Sequence, residues 1–243
     1  RVNNKAIFFS IYIFISALVI FIWSLYSTYS LIAFLIVASY HFGLEDTSFL
    51  HEGNSFLDQF FYFIKGSLIV FAPLFFHFEE TLKIFEILFL SKNILIFIAE
   101  EHWIINICLS LNILSYFYFV FKNSFKDFEI IFLDLLSILI LNYFFTPLIA
   151  FTIYFCFLHS IRHSITLIFE LDKSFKSGLK KFIRKAIPLT FVSGVIFLFA
   201  IYFLNYIYTL DEAVYKVIFI GLASLTFPHI LLEYLLEKNE KRT

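Results

Sequence analysis

The sequence predicts an all-α protein that crosses a membrane repeatedly, with about eight transmembrane helices plus one or two interfacial helices. Hydrophobic residues make up 61% of the 243 residues and charged residues only 15%, which is far outside the usage of soluble domains. The chain also separates into apolar runs, many of them near the roughly 20 residues that a helix needs to cross the hydrocarbon layer. These observations predict one multi-pass membrane domain over residues 1–243.

Charged and turn-forming residues divide the chain into eight apolar runs, each predicted as a transmembrane helix. The second and fifth runs are short, and the fifth and sixth meet at Thr146-Pro147, where the proline permits either a turn or a kink. The runs are 6–26, 28–41, 56–78, 94–121, 130–145, 147–169, 187–208 and 213–236.

Two charged intervals separate these runs. Residues 79–93 alternate charged and apolar side chains in a helical rhythm, which predicts a helix lying in the membrane interface. Residues 171–186 carry six cations, which predicts the cytoplasmic side of the membrane. With eight crossings, the cations at both ends of the chain and those after the fourth run fall on that same side.

Composition also excludes several classes of protein. The net charge of −1 gives no basic surface for nucleic acid, and only six Gly leave no Gly-rich phosphate loop. Cys108 and Cys156 lie in apolar runs without a metal-binding spacing, so we interpret them as small buried hydrophobes. The chain has no Met and begins with Arg1, so we expect a fragment that lacks an N-terminal helix.

Histidines are the first candidates for function, because ionisable residues at membrane depth are costly and usually mark a functional site. His159 and His163 are four residues apart in an apolar run, which places them on one face of a helix, one turn apart. This spacing suits a metal-binding pair, although an interhelical hydrogen-bonding pair would have the same spacing. Arg162 requires a carboxylate partner, which metal sites also use behind their ligands.

His41 ends another apolar run and is followed within about one turn by Gly43, Glu45 and Asp46. A helix terminus at the glycine explains part of this pattern. A histidine beside carboxylates is also the combination that orients an imidazole toward a metal. Both interpretations are open on the sequence alone.

The remaining histidines carry weaker indications. His229 follows Pro228, which is expected to loosen the last helix, so His229 could be a further ligand, a group behind the ligands or a substrate contact. His51 and His77 lie at the ends of apolar runs, and His102 lies in a charged cluster. We interpret His51 and His77 as interfacial, and His102 as either interfacial or facing the site.

Imidazoles without thiolates suit iron, zinc or copper, and a histidine site with open positions favours oxygen chemistry on Fe(II). A divalent ion in a low-dielectric setting needs negative charge nearby. We therefore expect Glu45, Asp46 or Asp134 to lie close to the histidines. A structure that places all three carboxylates far away would contradict this expectation.

Three motifs together resemble a known family, and the resemblance covers nearly the whole chain. They are Tyr40-His41-Phe42-Gly43-Leu44-Glu45-Asp46, His159-Ser160-Ile161-Arg162-His163 and Pro228-His229. Their content and order are similar to the Brp/Blh family of bacterial membrane β-carotene 15,15′-dioxygenases. The resemblance implies a multi-pass protein of the bacterial inner membrane, in which Fe(II) and O₂ cleave the central double bond of β-carotene. The product would be two molecules of all-trans-retinal, which supply a microbial rhodopsin.

The resemblance also implies four histidine ligands to the iron. Three of them map onto His41, His159 and His163, whereas the fourth belongs to a Pro-His-Gly motif in an N-terminal helix. This sequence has no Pro-His-Gly, in agreement with the expected missing helix. Further candidates for supporting the ligands or contacting the substrate are Glu45, Asp46, Asp134, Arg162 and His229.

Two other functions compete with this one. A membrane di-iron desaturase or hydroxylase would resemble its relatives in having about eight histidines in HxxHH boxes, whereas this chain has seven histidines and no adjacent pair. A non-enzymatic carrier or accessory protein for carotenoid or retinal would use the histidines structurally. Metal content separates the carrier from the enzymes.

Overall fold

The computed structural model describes residues 5–47, 55–122, 125 and 127–240, and every regular element in this part of the chain is a helix. The predicted all-α class is therefore confirmed. The elements are α1 (Lys5–Leu25), α2 (Ser27–Glu45), α3 (Phe56–Phe76), α4 (Phe78–Ile87), α5 (Lys92–Glu100), α6 (His102–Lys122), α7 (Phe128–Phe144), α8 (Pro147–Ile153), a π-helical turn (Tyr154–His159), α9 (Ser160–Leu171), α10 (Phe175–Leu204) and α11 (Leu210–Glu240).

Seven helical stretches within the described residues are long and apolar enough to cross a membrane. They are the apolar parts of α1, α2, α3, α6, α10 and α11, and the continuous stretch Pro147–Leu171. Helix α7 has 17 residues, which is the lower limit for a crossing. The predicted count of about eight therefore depends on α7, the run that the sequence already marks as short.

Two predicted boundaries are wrong. The predicted run 94–121 is divided at Glu101, which separates α5 from α6 and accepts a hydrogen bond from the indole N–H of Trp103. The predicted interfacial helix 79–93 is shorter in the structure, where α4 ends at Ile87. The helix stops there because Phe89 adopts a left-handed conformation with φ of 68°. Few non-glycine residues adopt this conformation, and it interrupts a helix.

The larger compact unit comprises Leu35–Phe85 and Lys92–Ser193. In this unit α3 packs against α6, and α7 packs against both. The ring of Tyr62 stacks on Phe119 with centroids 5.4 Å apart, at the centre of a cluster that also includes Tyr116, Ile131 and Tyr154. This core places α3, α7 and the π-helical turn around one buried region.

Helices α2 and α3 cross at two glycines in this unit. A Cβ atom on Gly43 would lie 1.8 Å from the carbonyl oxygen of Tyr62, and one on Gly66 would lie 1.8 Å from the carbonyl oxygen of Ser39. Of the two open interpretations of this motif, a helix terminus at Gly43 is not observed, because α2 continues to Glu45. The glycine instead permits a backbone contact that no larger residue would allow.

The smaller compact unit comprises the described parts of residues 1–34, 86–91 and 194–243. Here α1 packs along α11, and the Tyr12 hydroxyl donates to the carbonyl oxygen of Leu225 at 2.8 Å. Lys216 is buried, with its ammonium 3.5 Å from the centroid of the Phe89 ring and 4.5 Å from that of Tyr208. This cation–π arrangement holds the turn between α4 and α5.

The interpretation of both cysteines as buried is wrong. Cys108 is half-buried and Cys156 is exposed. In a helix that faces lipid, an apolar exposed side chain meets hydrocarbon, so an apolar sequence context does not by itself indicate burial within the protein.

Candidate metal centre

The C-terminal end of α2 supplies three of the predicted site residues. His41 and Glu45 are one helical turn apart, and Asp46 follows in the turn that ends the helix. The hydroxyl of Thr47 donates to the carbonyl oxygen of Gly43 at 2.6 Å, which satisfies one of the last carbonyls of α2. His41 and Asp46 are both buried, so the helix end lies inside the larger unit.

The second predicted motif faces this helix end. The Nδ1 atom of His159 lies 3.2 Å from Oδ1 of Asp46, and the Nδ1 atom of His163 lies 3.3 Å from Oε2 of Glu45. Neighbouring carboxylates of one turn therefore contact two histidines that are four residues apart on another helix. The structure places two of the three expected carboxylates directly against imidazoles.

A π-helical turn precedes the pair of histidines, and sequence reasoning did not predict it. The hydroxyl of Tyr154 donates to Oδ2 of Asp46, whose other oxygen contacts His159. Residues five apart would point roughly 140° apart in an α-helix. The wider turn over Tyr154–His159 brings both side chains to the same carboxylate. π-helical turns are rare in proteins, and those that occur often lie at functional sites.

Aromatic rings and a third imidazole surround His159. The ring centroid of His41 lies 5.7 Å from that of His159, and the rings of Phe42 and Phe155 lie 4.7 and 5.8 Å away. The carboxylate of Glu45, which contacts His163, lies one helical turn after His41 on α2. The histidines thus share one carboxylate-lined and largely apolar environment.

Arg162 has the carboxylate partner that the sequence required. Its guanidinium donates to both oxygens of Asp134, at 2.6 and 3.2 Å, and its Nη1 lies 3.5 Å from Oδ1 of Asp46. Lys65 lies 3.8 Å from Asp134 and was not among the predicted residues. The sequence could have identified Lys65, because a lysine inside an apolar run is by itself a candidate for function.

The donor chemistry of this cluster fits a divalent metal ion. Among the residues that the structure describes, no three His, Cys, Asp or Glu side chains are arranged to hold a metal ion together. However, a carboxylate faces Nδ1 in both His159 and His163, so Nε2 is the ring nitrogen of each that would bind a metal. Histidine ligands in metalloproteins are held by carboxylates in this way.

The remaining histidines within the described residues are His77, His102 and His229. His229 belongs to the smaller compact unit, and α11 continues through Pro228, so the last helix is not interrupted at this proline. His77 ends α3, and its Nε2 atom lies 2.7 Å from the backbone carbonyl oxygen of Asn142. His51 lies outside the described residues. A role for His229 at the site stays a prediction.

Comparisons with known proteins agree with the motifs. A family model described as beta-carotene 15,15'-dioxygenase matches residues 1–237. The beta-carotene 15,15'-dioxygenase of uncultured marine bacterium 66A03 is 30% identical over 244 residues, which cover 100% of this chain and 85% of that protein. No solved structure matches the chain significantly. The predicted family is confirmed, and with it the dioxygenase class of enzyme: the chain belongs to the beta-carotene 15,15'-dioxygenase family.

Proposed function

We propose that this chain is an Fe(II)-dependent dioxygenase that cleaves the central 15,15′ double bond of β-carotene. The C=C and O–O bonds break, and each oxygen atom ends in the aldehyde of one all-trans-retinal. Family membership supports the reaction. The observation that carries the assignment of the site is the pairing of His159 with Asp46 and of His163 with Glu45.

The residues that would hold the iron are His41, His159 and His163. Bound Fe(II) would supply the activation of O₂. The carboxylates of Asp46 and Glu45 accept hydrogen bonds from the Nδ1–H groups of two imidazoles, which fixes the tautomers in which Nε2 would bind the metal. The negative charge of these carboxylates also favours a dication in a low-dielectric setting.

The surroundings suit a hydrocarbon substrate. Phe42 and Tyr154 are buried against His159, with Phe155 beside them. These rings shield the buried imidazole of His159 from water, and aromatic faces pack well against a polyene. β-Carotene dissolves in the lipid bilayer, and a bilayer would surround the seven candidate membrane-spanning helices. An apolar access path from lipid is consistent with such a substrate.

The cellular part of the proposal follows from the product. Retinal is a membrane-soluble aldehyde, and a protein that binds it covalently, such as a microbial rhodopsin, would consume it. We place the enzyme in the bacterial inner membrane, where both carotenoid and rhodopsin would reside. A carotenoid carrier of the same fold would bind the polyene but leave its central bond intact.

Expression from the complete gene in cells that make β-carotene tests the proposal. We expect the orange colour to disappear and retinal to accumulate. His163→Ala should abolish this change, whereas His102→Ala, which removes an exposed imidazole, should not. Persistent β-carotene in cells that contain the folded wild-type protein would contradict the proposed function.

A further inference from the structure

Lys65 is a buried lysine with no role in the reaction as described so far. It lies on α3, directly before Gly66 at the crossing with α2, and its side chain is only 3% exposed. Removing an ammonium group from water is strongly unfavourable unless partners compensate for the lost hydration. The position of Lys65 therefore depends on the groups that surround its Nζ atom.

Asp134 alone does not explain the buried charge. Lys65 Nζ lies 3.8 Å from Oδ2 of Asp134, whereas Arg162 donates to both oxygens of that carboxylate at 2.6 and 3.2 Å. A bidentate guanidinium pair already satisfies a carboxylate well. Lys65 is thus a second and more distant cation beside a carboxylate that is already paired.

The end of α2 provides the second partner. Lys65 Nζ and Arg162 Nη1 each lie 3.5 Å from the backbone carbonyl oxygen of Asp46. The last carbonyls of a helix carry partial negative charge and lack helical partners, so cations there are stabilising. Two cations from α3 and α9 therefore hold the turn whose side chains, Glu45 and Asp46, contact the histidines.

We propose that Lys65 is a positioning residue that fixes this turn, keeps both carboxylates against His159 and His163, and thereby determines the affinity for Fe(II). The inference rests on the proposed iron site. A purely electrostatic effect has the opposite sign, because removing a cation leaves the cluster more negative and attracts a dication more strongly. The direction of the change in affinity therefore separates the two effects.

Anaerobic Fe(II) titration of the purified wild type and Lys65→Met tests the inference. Met keeps an unbranched side chain and removes the charge. We expect Fe(II) to bind roughly tenfold more weakly, as is typical for groups that orient metal ligands. The Fe(II)-induced rise in unfolding temperature should shrink accordingly. Unchanged or tighter binding would overturn the inference, as would a lower unfolding temperature of the metal-free protein with an unchanged Fe(II)-induced rise.

Two further variants keep this test decisive. Lys216→Met removes a second lysine that is buried, 4% exposed in the smaller unit, and should bind Fe(II) like the wild type. The double variant Lys65→Met/Asp134→Asn removes one positive and one negative charge, so the net charge of the cluster is unchanged. It is titrated in place of Lys65→Met if Lys65→Met does not fold. Weaker binding is again expected, and wild-type affinity in this double variant would overturn the inference.

The wild-type titration separates a failure of the proposed function from a failure of the role given to Lys65. A wild-type protein that binds no Fe(II) would contradict the proposed function itself. A wild type that binds Fe(II) with the same affinity as folded Lys65 variants would contradict only the role of Lys65.

Discussion

Tyr154 and His159 lie five residues apart and contact opposite oxygens of one carboxylate, that of Asp46. An α-helix would not align residues at this spacing. The π-helical turn accommodates one residue more than an α-helical turn and still presents both side chains on one face. The extra residue, rather than any particular side chain, is therefore what distinguishes this turn.

Deleting Cys156 should convert the π-helical turn into an α-helical one. Tyr154 and His159 would then be four residues apart and would still share a face. We expect this variant to retain Fe(II) binding and most of its activity. Deleting Ile161, which is also exposed, should abolish both, because the deletion turns His163 by roughly 100° relative to His159.

Measured retinal formation and iron content check this expectation in both variants. Substituting Cys156 or Ile161 by Ala serves as the control for loss of the side chain alone. Loss of iron on deletion of Cys156, with retention on deletion of Ile161, would show that the register of the turn has been misassigned.

Removing the carboxylate of Asp46 should weaken the iron site. Asp46→Ala leaves Nδ1 of His159 and the hydroxyl of Tyr154 without their shared acceptor. Changes of this kind typically lower metal affinity by 10–100-fold, roughly 1.4–2.7 kcal/mol. Glu170→Ala, which removes an exposed carboxylate on α9, is the matched control and should leave the Fe(II) dissociation constant unchanged. Equal affinities in the two variants would contradict the role given to Asp46.

Replacing Arg162 by lysine should destabilise the protein although the charge is kept. A single ammonium does not reproduce the two parallel hydrogen bonds to Asp134. Hydrogen bonds to charged groups contribute about 1.5–3 kcal/mol, so we expect a loss within that range. Unfolding in detergent measures it, with Arg184→Lys on the exposed face of α10 as the control. A stability equal to that of the control would show that the bidentate geometry is not needed.

The glycine crossing makes a prediction about stability. Gly43→Ala and Gly66→Ala each place a methyl group in space held by a backbone carbonyl 1.8 Å away. Overpacking of this kind typically costs about 1–3 kcal/mol, sometimes more. Gly194→Ala, where nothing lies within 4 Å of the added Cβ, should leave the unfolding temperature unchanged or slightly higher. Equal behaviour of all three variants would refute the close crossing.

Sequence alone predicted most of the candidate site because its spacing rules are local. His163 lies four positions after His159, a spacing that corresponds to about one turn of an α-helix. Burial of charge in an apolar run likewise demanded partners, and the structure provides Asp46, Glu45 and Asp134. These inferences needed no knowledge of how the helices pack.

What sequence reasoning missed depends on packing between helices. Gly43 resembled a helix terminus, since nothing in the local pattern indicates that α3 passes within contact of it. Lys65 could have been selected as an ionisable residue in a span, but its partners on α2 and α7 are distant in sequence. The π-helical turn has no recognisable pattern, because its hydrogen bonds differ from those of an α-helix by only one residue.

Iron held by His41, His159 and His163 is proposed to be essential for the cleavage of β-carotene. The most direct test loads metal-free purified protein with Fe(II) under anaerobic conditions, supplies β-carotene in micelles and then admits O₂. We predict two molecules of retinal for each β-carotene consumed, only when both Fe(II) and O₂ are present, and none from His159→Ala. Retinal formation at the same rate by the metal-free protein, or no cleavage by the iron-loaded protein, would contradict the claim.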